Sequence, residues 1–468
     1  MQYQRWRKKT KAMNSVRQDE LKISETAPKK HDRFFNCHAH CFTMDHVPDY
    51  FFGRFMPVTK LLRKKWVKNV VKNGPVTGKM PFGLRALIFL LSLINLLSVK
   101  KFLRLISMVR FGNSDEQRAV IESMRQYYPE DTGIVYLTMD MEYMGAGKPV
   151  KKLEKQFEEL AALKKTAEYK NIIYPFAFVD PRRIDPRDEE IQVEADFIGA
   201  KFLHKIEDYV KEGSFQGLKI YPALGYYPFD ERMKPAYDLA LKYNLPITTH
   251  CTIGVVHHKH KIDVSKRIHP FKGTLPDLKP VKYQRYFSHP LNYLCLVDRD
   301  LLKQVWGDSA PDYRNLKICI GHWGTEDDWH RYLDKDWADV YQKTKDDHCP
   351  ALLLKNWHTD PKRAYLNFTW FTIIYELLRN KKFPNLYTDI SYTLHDASLL
   401  PMLKTMLESN EDVRKRVLFG TDFYMVSKTI SERNYSINLR AALGHEMFEQ
   451  IAIVNAREFL KNNFTSPG

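Results

Sequence analysis

Six residues able to ligate or steer a metal ion close short apolar runs spread along the chain: His38, His40, Lys219, His250, His322 and Asp422. Loop-like sequence follows each of them. A strand puts residues i and i+2 on one face, so His38 and His40, in Asn36-Cys-His-Ala-His40, can clamp one ion together. No local motif collects the other four, so the fold must gather them. The architecture that gathers side chains from successive strand ends is a (β/α)8 TIM barrel, whose active sites lie at the C-terminal ends of the strands.

Eight strands can be counted, at 33–40, 133–139, 172–180, 216–221, 245–250, 316–322, 385–391 and 417–422. Helical patterns separate most of them, such as 150–169 and 231–243. This alternation predicts an α/β fold of βαβ units around a parallel sheet. Tandem-repeat similarity is absent, which argues against a solenoid. A barrel needs about 250 residues, so a chain of 468 has room for long insertions after strands 1, 5 and 6, at 41–132, 251–315 and 325–384. All three leave from the catalytic end, where they should roof the site. The expected organisation is a basic, disordered tail (1–30) and one barrel domain (31–468).

The formal charge of +17 is unevenly placed. Surpluses of 6 in residues 1–30 and 11 in residues 41–112 account for all of it. The first insertion also holds the most apolar stretch, Ala86–Val99, followed by Lys100, Lys101, Arg104 and Arg110. Fourteen residues fall short of the roughly 18–20 that span a bilayer. Segment 84–110 therefore reads as a helix covering the barrel mouth or a homo-oligomer contact, or as a peripheral contact with an anionic membrane. Nucleic acid is not an expected partner, because no reader motif accompanies the charge. The six cysteines form no CxxC pair, and the chain starts without an apolar signal region. A reduced, cytoplasmic protein with buried, apolar cysteines is the expectation.

Imidazole and carboxylate suit Zn²⁺, Mn²⁺ or Fe²⁺, with zinc expected first. His38, His40, His250 and Asp422 offer three nitrogens and one oxygen, a sufficient shell with a position left for water. A metal lowers the pKa of bound water toward about 7, and Asp422 can both touch the metal and accept that proton. His322, one strand over, can polarise a substrate carbonyl or shuttle a proton. Each residue alone has an ordinary structural explanation. Agreement among separate strand ends is what points to a divalent metal.

With these residues in view, the chain resembles the amidohydrolase superfamily, and within it the amidohydrolase-2 branch of metal-dependent hydrolases and non-oxidative decarboxylases. Asn36–His40 resembles the first-strand HxH signature, Gly217-Leu-Lys-Ile-Tyr-Pro222 the fourth and Thr249-His250 the fifth. Ser288-His-Pro290 with Leu316–Gly324 resembles the sixth, Leu418-Phe-Gly-Thr-Asp422 the eighth, and Asn455–Leu460 the closing helix. The likeness spans about 34 to 460. It implies His38, His40, His250 and Asp422 as metal ligands and His322 as the catalytic histidine. Asn36 departs from the branch, where Asp is common two residues before the first histidine, and the first insertion is unusually long. In other branches a lysine placed like Lys219 is carbamylated and bridges two metals. One ion is the arrangement the amidohydrolase-2 likeness implies, with Lys219 then a cation for a substrate carboxylate or a buried structural charge; two ions remain an alternative. Asp389, on strand 7, is expected to orient a ligand or Lys219.

His257-His258-Lys259-His260 reads as a solvated loop rather than a metal site, and Arg182 and Arg183 as either substrate-facing or loop charges. The expected activity is hydrolysis of an amide, ester or lactone by metal-activated water. The alternative is non-oxidative decarboxylation of an anionic aromatic or enolic acid. The basic roof favours a small anionic substrate in either case.

Overall fold

In the computed structural model, all eight segments form parallel strands: β1 Phe35–Ala39, β2 Gly133–Leu137, β3 Ile173–Phe178, β4 Gly217–Ile220, β5 Ile247–His250, β6 Ile318–Gly321, β7 Leu386–Asp389 and β8 Val417–Leu418. Each pairs with the next. Past the end of β8, Cys37 N–H donates to Phe419 O (2.8 Å) and Asp422 N–H to His38 O (2.8 Å), which brings the last segment back onto β1. This is the expected (β/α)8 barrel. The structure describes residues 33–51, 59–60, 63–64, 116–186, 197–270, 273–333, 369–423 and 430–467. The basic tail, segment 84–110 and Cys349 lie outside the described residues.

Helices alternate with the strands. α1 Gln117–Arg125, α2 Leu153–Lys165, α3 Gly199–Lys211 and α4 Lys234–Tyr243 lead into β2 to β5 in turn. In α3, Phe202, Ile206 and Val210 recur every fourth residue and are the buried face, the spacing that lines one side of a helix. The insertion after β5 carries α5 Pro280–Phe287, α6 Leu291–Val297 and α7 Arg299–Trp306. Asp298 starts α7 by accepting hydrogen bonds from the amides of Asp300 and Leu301, satisfying donors that the first turn leaves open. α8 Glu326–Leu333 and α9 Trp370–Arg379 follow β6, α10 Leu400–Ser409 follows β7, and α11 Glu432–Leu443 and α12 Asn455–Leu460 follow β8. Among the described residues, no helix is long and apolar enough to cross a membrane.

Strand alternation decides which residues reach the barrel interior. Leu218, Ile220, Ile247, Ile318, Ile320 and Leu386 belong to the large core that includes the helices. Phe35, Cys37, Val135, Leu137, Tyr174, Phe176, Cys319, Tyr387 and Leu418 form a second cluster with Ala456, Phe459 and Leu460 of α12. The closing helix thus packs onto the residues that fill the barrel. Burial of its Phe459 and Leu460 is worth about 2 kcal/mol each. Farther along the strands the same inward phase carries Lys219, His250, Gly321 and Asp389.

β1 needs a correction of phase to join them. Its register against β2 slips between Asn36 and Ala39, the signature of a bulge, which re-aims side chains. Phe35 and Cys37 sit in the interior cluster, while Asn36 donates to Tyr128 Oη (3.2 Å) and Thr421 Oγ1 (2.9 Å). His38 nevertheless reaches Asp389 on β7. Simple alternation would have grouped His38 with Asn36.

Three local expectations change. Ser288-His289-Pro290, matched above to a strand motif, joins α5 to α6. His322 and Asp422 lie just past regular strand, in left-handed backbone with φ of +75° and +55°. Arg182 and Arg183 are not open charges: Arg182 forks onto Asp180 (2.7 Å), and fully buried Arg183 pairs with Asp140, Glu142 and Glu154. Arg183 therefore ties the loops after β2 and β3 together.

Candidate metal centre

Four imidazoles meet at the C-terminal mouth of the barrel. Ring centroids of His38 and His322 are 4.6 Å apart, those of His250 and His322 4.9 Å, and those of His38 and His40 5.6 Å. All four side chains are buried, as are Lys219, Asp389 and Asp422. The sequence-selected residues are gathered here from β1, β4, β5, β7 and the segments after β6 and β8.

Asp389 organises the cluster. Its Oδ2 accepts from His38 Nδ1 (2.9 Å) and from the Cys319 thiol (3.4 Å). Its Oδ1 accepts from the amides of His322 (3.1 Å) and Ser391 (3.0 Å) and from the Ser391 hydroxyl. Burial alone would raise this carboxyl, but His38, His322 and the Ser391 hydroxyl outweigh it and hold the group below the ordinary carboxylate range. With both oxygens committed, Asp389 orients ligands and has little capacity left to be one.

These bonds also assign tautomers, because the ring nitrogen that faces an acceptor carries the proton. His38 donates from Nδ1 to Asp389, leaving Nε2 a lone pair with no protein partner in a fully buried position. His40 donates from Nδ1 to Leu137 O (2.8 Å), and its Nε2 lies 3.8 Å from Asp422 Oδ1. Ligand atoms of His38, His40 and Asp422 fall within 4.8 Å of one another. Two imidazole nitrogens and a carboxylate, with one nitrogen orphaned, fit a borderline divalent ion. A second grouping of His38, His322 and Asp389 lies equally close, but the saturation of Asp389 argues against it.

His250 stands one step away. Its ring stacks on Tyr221 (4.1 Å, 12°) and its Nδ1 meets His322 Nε2 at 3.1 Å, while its Nε2 is buried without a partner. His322 in turn turns Nδ1 to the Ser391 hydroxyl (2.9 Å) and carbonyl (3.3 Å). The structure therefore groups three of the four expected ligands directly and places His250 beside them through His322. Burial, followed by the neighbouring charges of the cluster, lowers His40 and His250 well below the ordinary imidazole value and His322 to about 3. Neutral imidazoles are the form that ligates a metal.

Lys219 is buried with no hydrogen-bond partner on Nζ, 5.5 Å from the Tyr221 ring centroid. Burial lowers its pKa to about 8, with Asp389 and Asp422 opposing the fall. An ammonium so placed has two carboxylates near enough to favour its charge but no acceptor on Nζ.

Sequence reasoning did not single out Ser391, Tyr221 or Cys319. Ser391 stands two residues after Asp389, and Tyr221 two after Lys219; that spacing was the available signal. The His257–His260 run is less solvated than expected: His258 Nδ1 lies 3.3 Å from Tyr143 O, and His258 and Lys259 donate backbone bonds to Ala223 O and Met144 O. It straps the loops after β2 and β4. The five described cysteines are free and buried, as expected of them.

No protein-family model and no curated protein matches this chain. Among solved structures it is similar to an uncharacterised TIM-barrel protein from Bordetella bronchiseptica, at 12% identity and a TM-score of 0.41. It is also similar to the 5-carboxyvanillate decarboxylase of Sphingomonas paucimobilis, at 11% identity and a TM-score of 0.41. Each likeness covers 92% of this chain and 98% of the other.

Proposed function

We propose that this chain is a metal-dependent enzyme acting on a small carboxylic acid, and that loss of CO₂ from an aromatic or enolic acid describes its reaction better than hydrolysis. The observation that carries this reading is Lys219: a fully buried ammonium without a hydrogen-bond partner, next to a cluster that can hold a metal. A substrate carboxylate would satisfy it. His38, His40 and Asp422, with His250 alongside, would hold the ion. When bound, a divalent ion supplies Lewis acidity that polarises substrate oxygen or activates water.

The remaining roles belong to the chain. Lys219 fixes the carboxylate in a site removed from water, where a charge that disperses as neutral CO₂ departs is no longer held back by hydration. The C–C bond breaks, its electron pair stays on the substrate carbon, and a proton replaces the carboxyl group there. Lys219, with a pKa near 8, is the group placed to move that proton, while His322, kept neutral by burial and joined to Asp389 through Ser391, lines the site beside it. Tyr221 beside His250, Phe42 beside His40 and Tyr392 beside His322 supply flat walls for an unsaturated acid. The hydrolase reading shares the metal ligands and gives Asp422 the proton of water; with two ions Lys219 would be their carbamylated bridge, but with one ion it has no specific task.

The test is a panel of aromatic and enolic acids, esters, lactones and amides offered to metal-loaded protein in deuterated buffer. The expected result is CO₂ release with one deuterium at the vacated carbon, and a KM that rises at least tenfold in Lys219→Met. Acid release from an ester, lactone or amide, without CO₂ from any acid, overturns the decarboxylase reading.

A further inference from the structure

A second group of side chains of metal-ligating type lies outside the barrel interior, on the loops that follow β6 and β7. Glu326 and His330 are four residues apart on α8, hence on one face. Asp396 and His395 come from the loop after Ser391. His330 Nε2 lies 3.3 Å from Asp396 Oδ2 and 3.9 Å from Glu326 Oε1, and His395 Nε2 lies 3.6 Å from Glu326 Oε2. Ligand atoms of Glu326, His330 and Asp396 all fall within 4.8 Å of one another. Tetrahedral zinc with bonds near 2.0–2.1 Å sets its ligand atoms about 3.3 Å apart. The His330–Asp396 pair already stands at that spacing, and the two gaps from Glu326 to the histidines exceed it by tenths of an ångström, between side chains that are partly exposed.

Two further observations separate this group from an ordinary surface ion-pair cluster. First, two of the four side chains are already oriented by bonds within the loop after β7. His395 donates from Nδ1 to Tyr392 O (2.7 Å), which turns its other nitrogen toward Glu326; a carbonyl behind a histidine is the usual support of a metal-ligating ring. Asp396 Oδ1 accepts from Ser398 N (2.9 Å) and leaves Oδ2 for His330. Second, the chain carries 73 Lys and Arg, yet among the described residues neither Glu326 nor Asp396 pairs with one; their ion-pair partners are histidines. A neutral imidazole lone pair set against a carboxylate is repulsive unless a proton or a cation lies between them.

We propose that Glu326, His330 and Asp396, joined by His395 through its approach to Glu326, form a second metal site, with zinc as its ion, that clamps the loop after β6 to the loop after β7. Two carboxylates and two neutral imidazoles balance the charge of a divalent ion and match its N and O preferences. The clamp bears on the centre described above. The Thr393 hydroxyl already ties the loops by donating to Gly324 O (3.0 Å). Tyr392, in left-handed backbone at φ +61°, packs its ring against both His395 (5.9 Å) and His322 (6.2 Å). Zinc at the rim would hold the turn that sets Ser391 and Tyr392 against His322. The site does not depend on what the inner centre binds or catalyses.

The test is zinc stoichiometry on the stripped full-length protein, by titration against a chromophoric chelator, with cobalt absorption as a second readout of tetrahedral geometry. Wild type, His38→Ala/His40→Ala and His330→Ala/Asp396→Ala are compared, each checked for a native circular dichroism spectrum. The expected result is one equivalent fewer in His330→Ala/Asp396→Ala than in wild type, with the other double variant still binding an equivalent at the rim. If the inner centre bound nothing, wild type would hold one equivalent and His330→Ala/Asp396→Ala none, so failure there leaves this test readable. Equal stoichiometry in wild type and His330→Ala/Asp396→Ala overturns the proposal. Should that variant lose its native spectrum, His330→Gln, which keeps the volume and removes the ligand, gives the same reading.

Discussion

His38 Nδ1 donates to Asp389 Oδ2 at 2.9 Å across the barrel, joining its first strand to its seventh. That bond leaves the opposite ring nitrogen as a lone pair at the mouth. The same carboxylate accepts from the backbone of His322 and from Ser391, so one residue sets the aim of two histidines. A protein partner of this kind raises ligand basicity and fixes ring orientation.

Asp389→Asn should therefore weaken metal binding at the inner centre by about 10–100-fold without changing the ligands. Competition against chelators of graded affinity measures this. Unchanged affinity would remove Asp389 from the account of the centre.

His38→Ala/His40→Ala should abolish metal uptake at the inner centre while the barrel stays folded, because neither ring belongs to the apolar core clusters. Elemental analysis beside circular dichroism reads both halves. A native variant that retains the wild-type equivalents would place the ion elsewhere.

Gly321 tests how tightly the centre is built. A Cβ there would stand 2.5 Å from Thr249 O, 3.3 Å from His38 Cε1 and 3.4 Å from Asp389 Oδ2. The carbonyl is strand backbone and cannot swing aside. Gly321→Ala should cost about 1–3 kcal/mol and weaken metal binding as well, read from denaturant midpoints and the chelator assay. A variant of full stability and affinity would show the mouth to be looser than these contacts.

Glu432 gives a pH signature. It is buried, accepts from the Tyr128 hydroxyl, and is raised by that burial from an ordinary 4.5 to about 7. Between those values the folded chain keeps a proton that the unfolded chain has lost, so stability falls as pH rises from 4.5 to 7 and levels off above. The shift corresponds to roughly 3 kcal/mol. Glu432→Gln keeps a hydrogen-bond acceptor and cannot titrate, so its stability relative to wild type should improve by about that amount across the window. Urea unfolding of both proteins below pH 5 and above pH 7.5 decides it; parallel curves would assign the pH response to other groups.

The strands were readable because parallel barrel strands are short apolar runs buried on both faces; their limits shortened in the structure, most of all in β8, which keeps only Val417–Leu418. The residues gathered at the mouth were readable for a related reason: a histidine or aspartate ending such a run has few places to go except there. Arg182 and Arg183 were not readable, since adjacent arginines look alike until Asp180 and the Asp140, Glu142 and Glu154 triad are seen around them. Ser391, Tyr221 and the rim group were missed because their significance lies in the neighbour each meets.

By itself, the sequence determined the eight-strand order, the inward phase of β4 to β7 and the residue types at their mouths, because strand period and apolar patterning are local properties. Only the tertiary structure decided which atoms face one another. The bulge in β1 turns His38 inward, the left-handed turns at His322 and Asp422 carry those side chains past the strand ends, and closure onto β1 brings Asp422 within 3.8 Å of His40. Those distances depend on residues more than 350 positions apart in sequence, and no local propensity encodes a contact made only when the ring of strands closes.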